Sequence, residues 1–436
     1  MNNQIYETRP LEIWDRAKEL RAKWQDSIGN TTTLLAHGNT VEVDWSPGFE
    51  KDLKIVEDNP IGAFMSSKDP AFAREARLAS EVRGWGRELC GYVNNCWGAQ
   101  FLGTDLGGVP FPYRDMCVPF PDVCDQHTKR GQQCMDLSPI PRWGGDMPIY
   151  PGEMDTLRDK DMIEHRVYCN LKIIADIEKI FGIEFDDERF IDNLKLNQQL
   201  RDYGLRISQL MTNVPAPISA KDLYSFYTLG DLTKLNPEEI NDFWKSLVDE
   251  IQWRVDNKIA AVGNERYRWM EAHPPAWHYL RYYRYMEQYG AVCVGSQYSH
   301  LMAGAVELKE DGTLGHRDIR PAPKDVKLRT IEDAIRYIST EARGHRFKDD
   351  EYFRYDAITD FAKAYHVDGA IMPLNRSGVG CTLTRKEQAL RLNAIGVNTM
   401  HYESSQPGDR TDMDEHHFFD QLDTWMETQG YSKLVD

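Results

Sequence analysis

Three cysteines lie in segments that could present a thiol to a metal. Cys90 occurs in the helical stretch "RELCGYV", Cys124 in the Pro-containing "PFPDVCDQH", and Cys381 in the Gly-containing "PLNRSGVGCTLTRKE". A helix N-terminus lowers the pKa of a thiol, because its free N–H groups and partial positive charge favour the thiolate. Glycines near such a thiol let backbone amides approach the sulfides of a bound cluster closely. Three converging thiolates would suit a cubane iron–sulfur cluster with one iron open to another ligand.

The residues alone leave other interpretations of the thiols open. The sequence has no C-x-x-C pair and no contiguous ferredoxin-type run among its eight cysteines. They could therefore be buried core thiols, zinc ligands, or include a single catalytic thiol. The polar start "MNNQIYETRPLEIWDRAKEL" shows no export signal, which argues for a reducing compartment and against a disulfide framework. We predict a cytoplasmic protein.

Charge and hydropathy exclude some classes of partner. The formal net charge is −17, which disfavours binding to nucleic acid or anionic membranes. No apolar run approaches the roughly 20 residues that a membrane-spanning helix needs. We therefore expect neither nucleic acid nor a membrane as a partner.

Strands alternate with helices along much of the chain. The periodicity of "PLEIWDRAKELRAKWQDSIG" predicts an N-terminal helix, and residues 186–260 predict a long helical region. Apolar runs predict buried strands, followed in most cases by a helix: "IGAFMSS" (61–67), Met116 to Pro119 before a helix near Asp125, "GGDMPIY" before 156–181, "YRWMEAH" before 276–289, "GAVCVGS" (290–296), "VDGAIMPLN" before 383–394 and "GVNTMHY" before 414–429. This alternation is typical of parallel sheets.

The pattern predicts an α/β protein with two parallel-sheet domains of flavodoxin or Rossmann type. We place an N-terminal helical extension at 1–60, a first α/β domain at 61–185, a helical region at 186–260 and a second α/β domain at 261–436. In open α/β sheets, ligands bind outside the carboxyl ends of the strands. Cys124 and Cys381 follow predicted strands and are placed at such ends.

The cysteine-bearing segments resemble those of a known family. In chain order, "RELCGYV", "PFPDVCD" and "VDGAIMPLNRSGVGC" look like segments of the 2-hydroxyacyl-CoA dehydratase and ATP-dependent benzoyl-CoA reductase family. "LKLNQQLRDYGLRISQLMTNVPAPISAKDLYSF" is similar to the family's Asn–x–x–Arg helix and following turn, and "LNAIGVNTMHYES" to its C-terminal strand. The resemblance covers about residues 60–430. In its size and in its Trp- and Tyr-rich N-terminal half, the chain most resembles the larger, B-type cluster-bearing subunit of benzoyl-CoA reductase.

The resemblance implies a cofactor and a reaction. It implies that Cys90, Cys124 and Cys381 ligate a 4Fe–4S cluster, either a single cubane or half of a sulfide-bridged double cubane. The implied function is that of an oxidoreductase subunit that passes low-potential electrons to an aromatic acyl-CoA and converts the ring to a cyclic dienoyl-CoA. The alternatives are a subunit of a 2-hydroxyacyl-CoA dehydratase and a non-catalytic scaffolding subunit.

The same resemblance implies several partners. These are a homologous smaller cluster-bearing subunit, ATPase activator subunits with a bridging 4Fe–4S cluster, the aromatic acyl-CoA substrate, and ferredoxin as electron donor. A separate ATPase agrees with the sequence, because "GTDLGGVP" lacks the Gly–Lys–Ser/Thr of a phosphate-binding loop.

The reaction needs a source of protons, and two histidines are candidates. His127 follows Cys124 by three residues, and His401 ends the predicted strand "NTMHY". We predict both as catalytic acids or hydrogen-bond donors, with a surface or structural role as the alternative for each.

The remaining cysteines are predicted to have other roles. Cys96, Cys169 and Cys293 are expected to be packed core thiols, whereas Cys117 and Cys134 flank Cys124 and are its rivals as ligands.

Residues 265–290, "ERYRWMEAHPPAWHYLRYYRYMEQYG", combine arginines and aromatics. They could contact CoA phosphates and adenine, or could form an amphipathic helix docked on a sheet.

Overall fold

A computed structural model describes most of the chain. The described residues are 4–29, 32–38, 45–56, 65–111, 113–118, 139–143, 157–230, 236–272, 275–296, 306–316, 328–344, 356–375, 384–404, 408 and 410–434. Their strands are β1 (Leu34–Gly38), β2 (Leu53–Val56), β3 (Met116–Val118), β4 (Tyr267–Glu271), β5 (Ala291–Ser296), β6 (Val306–Leu308), β7 (Leu314–His316), β8 (Gly369–Asn375) and β9 (Asn398–Ser404).

The described helices include most of the predicted ones, while the helix predicted near Asp125 lies outside the described residues. They are α1 (Trp14–Gly29), α2 (Pro70–Glu81), α3 (Gly91–Leu102), α4 (Leu157–Phe181), α5 (Asp187–Leu210), α6 (Ala220–Gly230), α7 (Pro237–Asp256), α8 (Arg281–Glu287), α9 (Ile331–Gly344), α10 (Ala357–Ala364), α11 (Arg385–Ala394) and α12 (Glu415–Thr428). Short polar side chains start several of them. For example, the Asp69 side chain accepts the Phe72 N–H at 3.0 Å at the start of α2, and Pro70 occupies its first turn.

The first sheet has the strand order β2-β1-β3, with all pairs parallel. Ala36 of β1 pairs with Met116 of β3, and both side chains are buried. Apolar residues of α4, α5 and α9 pack on this sheet, among them Ile177, Phe190 and Ile335. Helix α9 therefore returns to the first sheet although it lies far along the chain.

The second sheet has the order β5-β4-β8-β9, again with every pair parallel. One face packs against the helical region and helices α10 and α11, through residues such as Met270, Ala370 and Met372. The other face packs against α3, α8 and α12 through a group that we name the aromatic core. Its members include Cys90, Tyr92, Trp97, Tyr224, Trp269, Trp277, Tyr282, Tyr283, Cys293, Ile371, Met400, Tyr402 and Phe418.

The predicted α/β class with parallel sheets is confirmed, and individual elements differ in detail. Met65 to Ser67 were predicted to end a strand, but they are helical, and the Met65 carbonyl accepts the Asp69 N–H at 3.0 Å as in a helical turn. The predicted helix 276–289 divides into a 3-10 turn at Trp277–Tyr279 and the short α8.

Strands β1 and β2 were not predicted. They lie within the segment 1–60 that the sequence assigns to a helical extension. They are short, and β1 pairs both with β2 and with β3, which is about 80 residues away, so periodicity gives little signal for them. The boundaries of the four proposed regions stay predictions. No helix among the described residues is both long and apolar enough to cross a bilayer.

Candidate functional site

Cys90 occupies the N-cap position of helix α3 and is 5% exposed. Its carbonyl accepts the Val93 and Asn94 N–H groups, both at 3.0 Å, so the helix begins immediately after the thiol-bearing residue. The side chain belongs to the aromatic core. The position at a helix N-terminus matches the prediction for a ligand thiol, whereas the apolar surround by itself disfavours an uncompensated thiolate.

Helix α3 is held rigidly against α2. Gly98 lies so close to α2 that a Cβ there would overlap the Ala76 carbonyl. The Ser80 hydroxyl donates to the Asn94 carbonyl at 2.9 Å, and the Asn94 amide donates to the Gly86 carbonyl at 3.0 Å. These contacts fix where Cys90 and helix α3 lie relative to α2.

A buried ion pair connects α2 to the segment that follows β9. Arg77 is fully buried, and its guanidinium bonds the carboxylate of Asp412. Next to this pair, Arg87 donates to the Thr411 hydroxyl at 2.8 Å, and the Gly408 N–H donates to Nδ1 of His278 at 3.1 Å. The described residues after β9 are thus held against the residues that precede Cys90 in the sequence.

Strand alternation defines which side chains share a face with Cys90. Ile371 of β8 and Met400 and Tyr402 of β9 are members of the aromatic core. Successive side chains of a strand point to opposite faces, so Asn375 lies on the same face as Ile371. Cys381 follows Asn375 by six residues in the sequence. Asn375 and Cys90 therefore lie on the same side of the second sheet.

The aromatic core contains a fully buried carboxyl group, that of Glu271 at the end of β4. Tyr282 donates to its Oε1 at 2.7 Å, Tyr402 donates to the same oxygen at 3.2 Å, and Tyr283 donates to Oε2. Burial raises the pKa of Glu271 to about 7, and the three hydroxyls partly oppose that rise. A carboxyl group with this pKa can hold or release a proton at neutral pH.

The predicted catalytic and ligand residues are only partly described. Cys124, His127 and Cys381 lie outside the described residues. His401 is on β9 between Met400 and Tyr402, so its side chain lies on the face opposite the aromatic core. Burial lowers the pKa of His401, with Lys386 contributing. The structure therefore does not bring His401 together with Cys90.

The other cysteines behave mainly as packed thiols. Cys96 and Cys293 are buried, and burial raises the pKa of the Cys293 thiol well above its usual value. Cys169 is partly buried against the first-sheet core, 3.6 Å from Nε2 of His165. Cys117 is buried in β3, and Cys134 lies outside the described residues.

The arginines of 265–290 mostly bond within the chain. Arg266 donates to the Tyr289 carbonyl at 2.7 Å, and Arg281 pairs with Glu415. Arg268 is buried and bonds Glu265 at 2.5 Å together with three backbone carbonyls. These contacts favour the structural interpretation of the segment over a phosphate-binding one.

Residues that the sequence analysis did not assign to a site include Glu271 and Asn375. A lone acidic residue within the buried run "YRWMEAH" was the available signal for Glu271. Among the described residues, no group of three or more His, Cys, Asp or Glu side chains is arranged to hold a metal. Of Cys90, Cys124 and Cys381, only Cys90 lies within the described residues. It lies at a helix N-terminus among apolar side chains, a position that fits a ligand of an iron–sulfur cluster.

Two parallel sheets, with a buried cysteine packed on one face of the second, define an α/β protein, a class in which ligands bind outside the carboxyl ends of the strands. The chain belongs to the 2-hydroxyglutaryl-CoA dehydratase, D-component family, whose model matches residues 72–428. This match includes Cys90, Cys124 and Cys381, and it confirms the family predicted from the sequence.

A curated relative is similar over a large part of the chain. It is the (R)-phenyllactyl-CoA dehydratase alpha subunit of Clostridium sporogenes, which is 23% identical over 303 residues. The similarity covers 68% of this chain and 66% of the relative, slightly less than two thirds of that protein.

Proposed function

We propose that this chain is the iron–sulfur subunit of an enzyme that removes water from a 2-hydroxyacyl-CoA. The family match over 72–428 carries the proposal, because it spans Cys90 and the segments of the two further cysteines. The relative named as a phenyllactyl-CoA dehydratase subunit supports dehydration in particular. A buried thiol at a helix N-terminus, within the aromatic core of the second sheet, supports the assignment of Cys90 as a ligand.

Cys90, Cys124 and Cys381 would hold the 4Fe–4S cluster. When bound, such a cluster supplies single electrons to a CoA thioester. The protein's own contribution is a dry and rigid surround, since the aromatic core excludes water from the side of the sheet that Cys90 faces. Glu271 adds a group that holds a proton at neutral pH behind three tyrosine hydroxyls.

The proposal includes a second subunit and an activator. The relative is named an alpha subunit, which supports a hetero-oligomer. We propose a homologous cluster-bearing partner, an ATPase activator with a bridging 4Fe–4S cluster, and ferredoxin as the electron donor. ATP hydrolysis is assigned to the activator because this sequence lacks the Gly–Lys–Ser/Thr of a phosphate-binding loop.

A second candidate is the aromatic acyl-CoA reductase subunit predicted from the sequence. The observation that favours it is the wall of tyrosine and tryptophan rings beside Cys90, which includes Tyr92, Trp277 and Tyr224. Trp277 donates its indole N–H to the Tyr92 hydroxyl, so helix α3 is joined to the 3-10 turn that comes after β4. Flat aromatic walls suit a flat ring, but they also suit an aryl 2-hydroxyacyl group.

Product analysis separates the two reactions. The full chain, purified anaerobically with its partner and activator, is given ATP, a reductant and either (R)-phenyllactyl-CoA or benzoyl-CoA. Formation of the 2-enoyl-CoA without net consumption of electrons supports dehydration, whereas a cyclic dienoyl-CoA with two electrons consumed per ring supports reduction. A protein that contains neither iron nor acid-labile sulfide after anaerobic purification contradicts both and favours the scaffolding alternative.

A further inference from the structure

Asn375, the last residue of β8, is 3% exposed, yet neither its Nδ2 nor its Oδ1 forms a hydrogen bond within the described part of the chain. Buried polar atoms are nearly always paired, because removing them from water without a partner costs free energy. A carboxamide that is buried and has both ends available is therefore a candidate for contact with a ligand.

The position of Asn375 strengthens this argument. It lies at the carboxyl end of a parallel strand, where ligands bind in open α/β sheets. It shares the face of Ile371 with the aromatic core and Cys90, and it pairs in register with Ser404 of β9, which is also buried. The segment that carries Cys381 follows directly.

A second asparagine shows that burial alone does not define the site. Asn193 is fully buried and also has both amide atoms without a hydrogen bond in the described structure. It lies on helix α5, between Phe190 and Leu194 of the first-sheet core, and not at the end of a strand. Asn193 is therefore a matched control for Asn375.

We propose that the Asn375 carboxamide binds the 2-hydroxythioester group of the substrate. Its Nδ2–H donates to the thioester carbonyl oxygen, and its Oδ1 accepts from the 2-hydroxyl. This inference rests on the proposed dehydratase function. The match is chemical: a carboxamide presents one donor beside one acceptor, and a 2-hydroxythioester presents an acceptor and a donor on adjacent carbons. A neutral amide in an apolar wall also suits a neutral group, since a charged one would need a counterion.

The test measures binding without turnover. The full chain with its partner subunit, without activator or ATP, is titrated anaerobically with (R)-phenyllactyl-CoA and with 3-phenylpropanoyl-CoA, which lacks only the 2-hydroxyl. We expect the wild type to prefer the hydroxylated thioester about tenfold, the effect of about one hydrogen bond. Asn375→Leu should abolish the preference. Asn375→Asp, titrated at a pH at which the new carboxyl group is ionised, should keep the preference while both thioesters bind more weakly, because a carboxylate accepts a hydrogen bond but donates none. Asn193→Leu should match the wild type.

The outcomes separate this inference from the proposed function. A wild type that binds neither thioester contradicts the proposed function and the inference together. A wild type that binds both, with the preference unchanged in Asn375→Leu or absent from the start, overturns the role of Asn375 alone. If Asn375→Leu does not fold, Asn375→Asp decides: binding of both thioesters at wild-type strength overturns the inference.

Discussion

Replacing the buried carboxyl of Glu271 should change how the stability of this protein depends on pH. Burial raises the pKa of Glu271 from 4.5 to about 7 in the folded chain. The unfolded chain releases this proton near pH 4.5 and the folded chain near pH 7, so the folded state binds more protons between these values. Stability is therefore lost as the pH rises through this window. The loss amounts to about 3 kcal/mol, at about 1.4 kcal/mol per pKa unit.

Glu271→Gln removes the titration and keeps a group that can accept hydrogen bonds from the tyrosines. Asp222 and Asp368 also have pKa values raised by burial, so the wild-type curve alone does not isolate Glu271. The informative quantity is the difference in free energy of unfolding between variant and wild type. Measured by urea denaturation, it should shift by about 2 to 3 kcal/mol in favour of the variant between pH 5 and pH 8.

Glu265→Gln provides the control. Glu265 is also buried, but it pairs with Arg268 at 2.5 Å and accepts the Ala216 N–H at 2.6 Å. Its replacement should lower stability to a similar degree at both pH values, because it breaks a buried pair with a permanent cation. A Glu271→Gln difference that is the same at pH 5 and pH 8 would refute a raised pKa for Glu271.

Asp412→Ala and Gly98→Ala test the contacts that hold α2 and α3 in place, and Asp249→Ala is the control for the first of them. Asp412→Ala leaves the guanidinium of Arg77 buried without its carboxylate, so we expect a loss of about 3–5 kcal/mol in urea denaturation. Asp249→Ala, which breaks the exposed pair with Lys245, should cause no measurable loss. An equal effect of the two variants would contradict the buried pair. Gly98→Ala should cost about 1–3 kcal/mol, because its methyl group overlaps the carbonyl of α2; a thermal midpoint equal to wild type would show that α2 and α3 are not in close contact.

The sequence predicts the second sheet well because its strands are continuous buried runs. "GAVCVGS" and "VDGAIMPLN" carry apolar residues on both faces, as expected for parallel strands covered on both sides, and they form β5 and β8. The short β1 and β2 have no such runs. The return of α9 to the first sheet could not be predicted either, since an amphipathic pattern shows that a helix packs but not what it packs on.

The site is predictable in part. The resemblance predicts Cys90 as a cluster ligand, and the structure places this residue at the N-cap of α3 within the aromatic core. Glu271 was missed because its role depends on Tyr402, which comes from a strand 131 residues away. The catalytic role of His401 stays a prediction; period-two alternation places its side chain on the face opposite the aromatic core, which strand-end position alone does not reveal.

The central claim is that Cys90, Cys124 and Cys381 hold one iron–sulfur cluster between them. The most direct measurement is the iron and acid-labile sulfide content, with Mössbauer spectra, of anaerobically purified protein carrying a serine at one cysteine at a time. Cys90→Ser, Cys124→Ser and Cys381→Ser should each lose the cluster, while Cys96→Ser and Cys293→Ser, at buried thiols, should retain it. Full iron and sulfide content in Cys90→Ser would contradict the account.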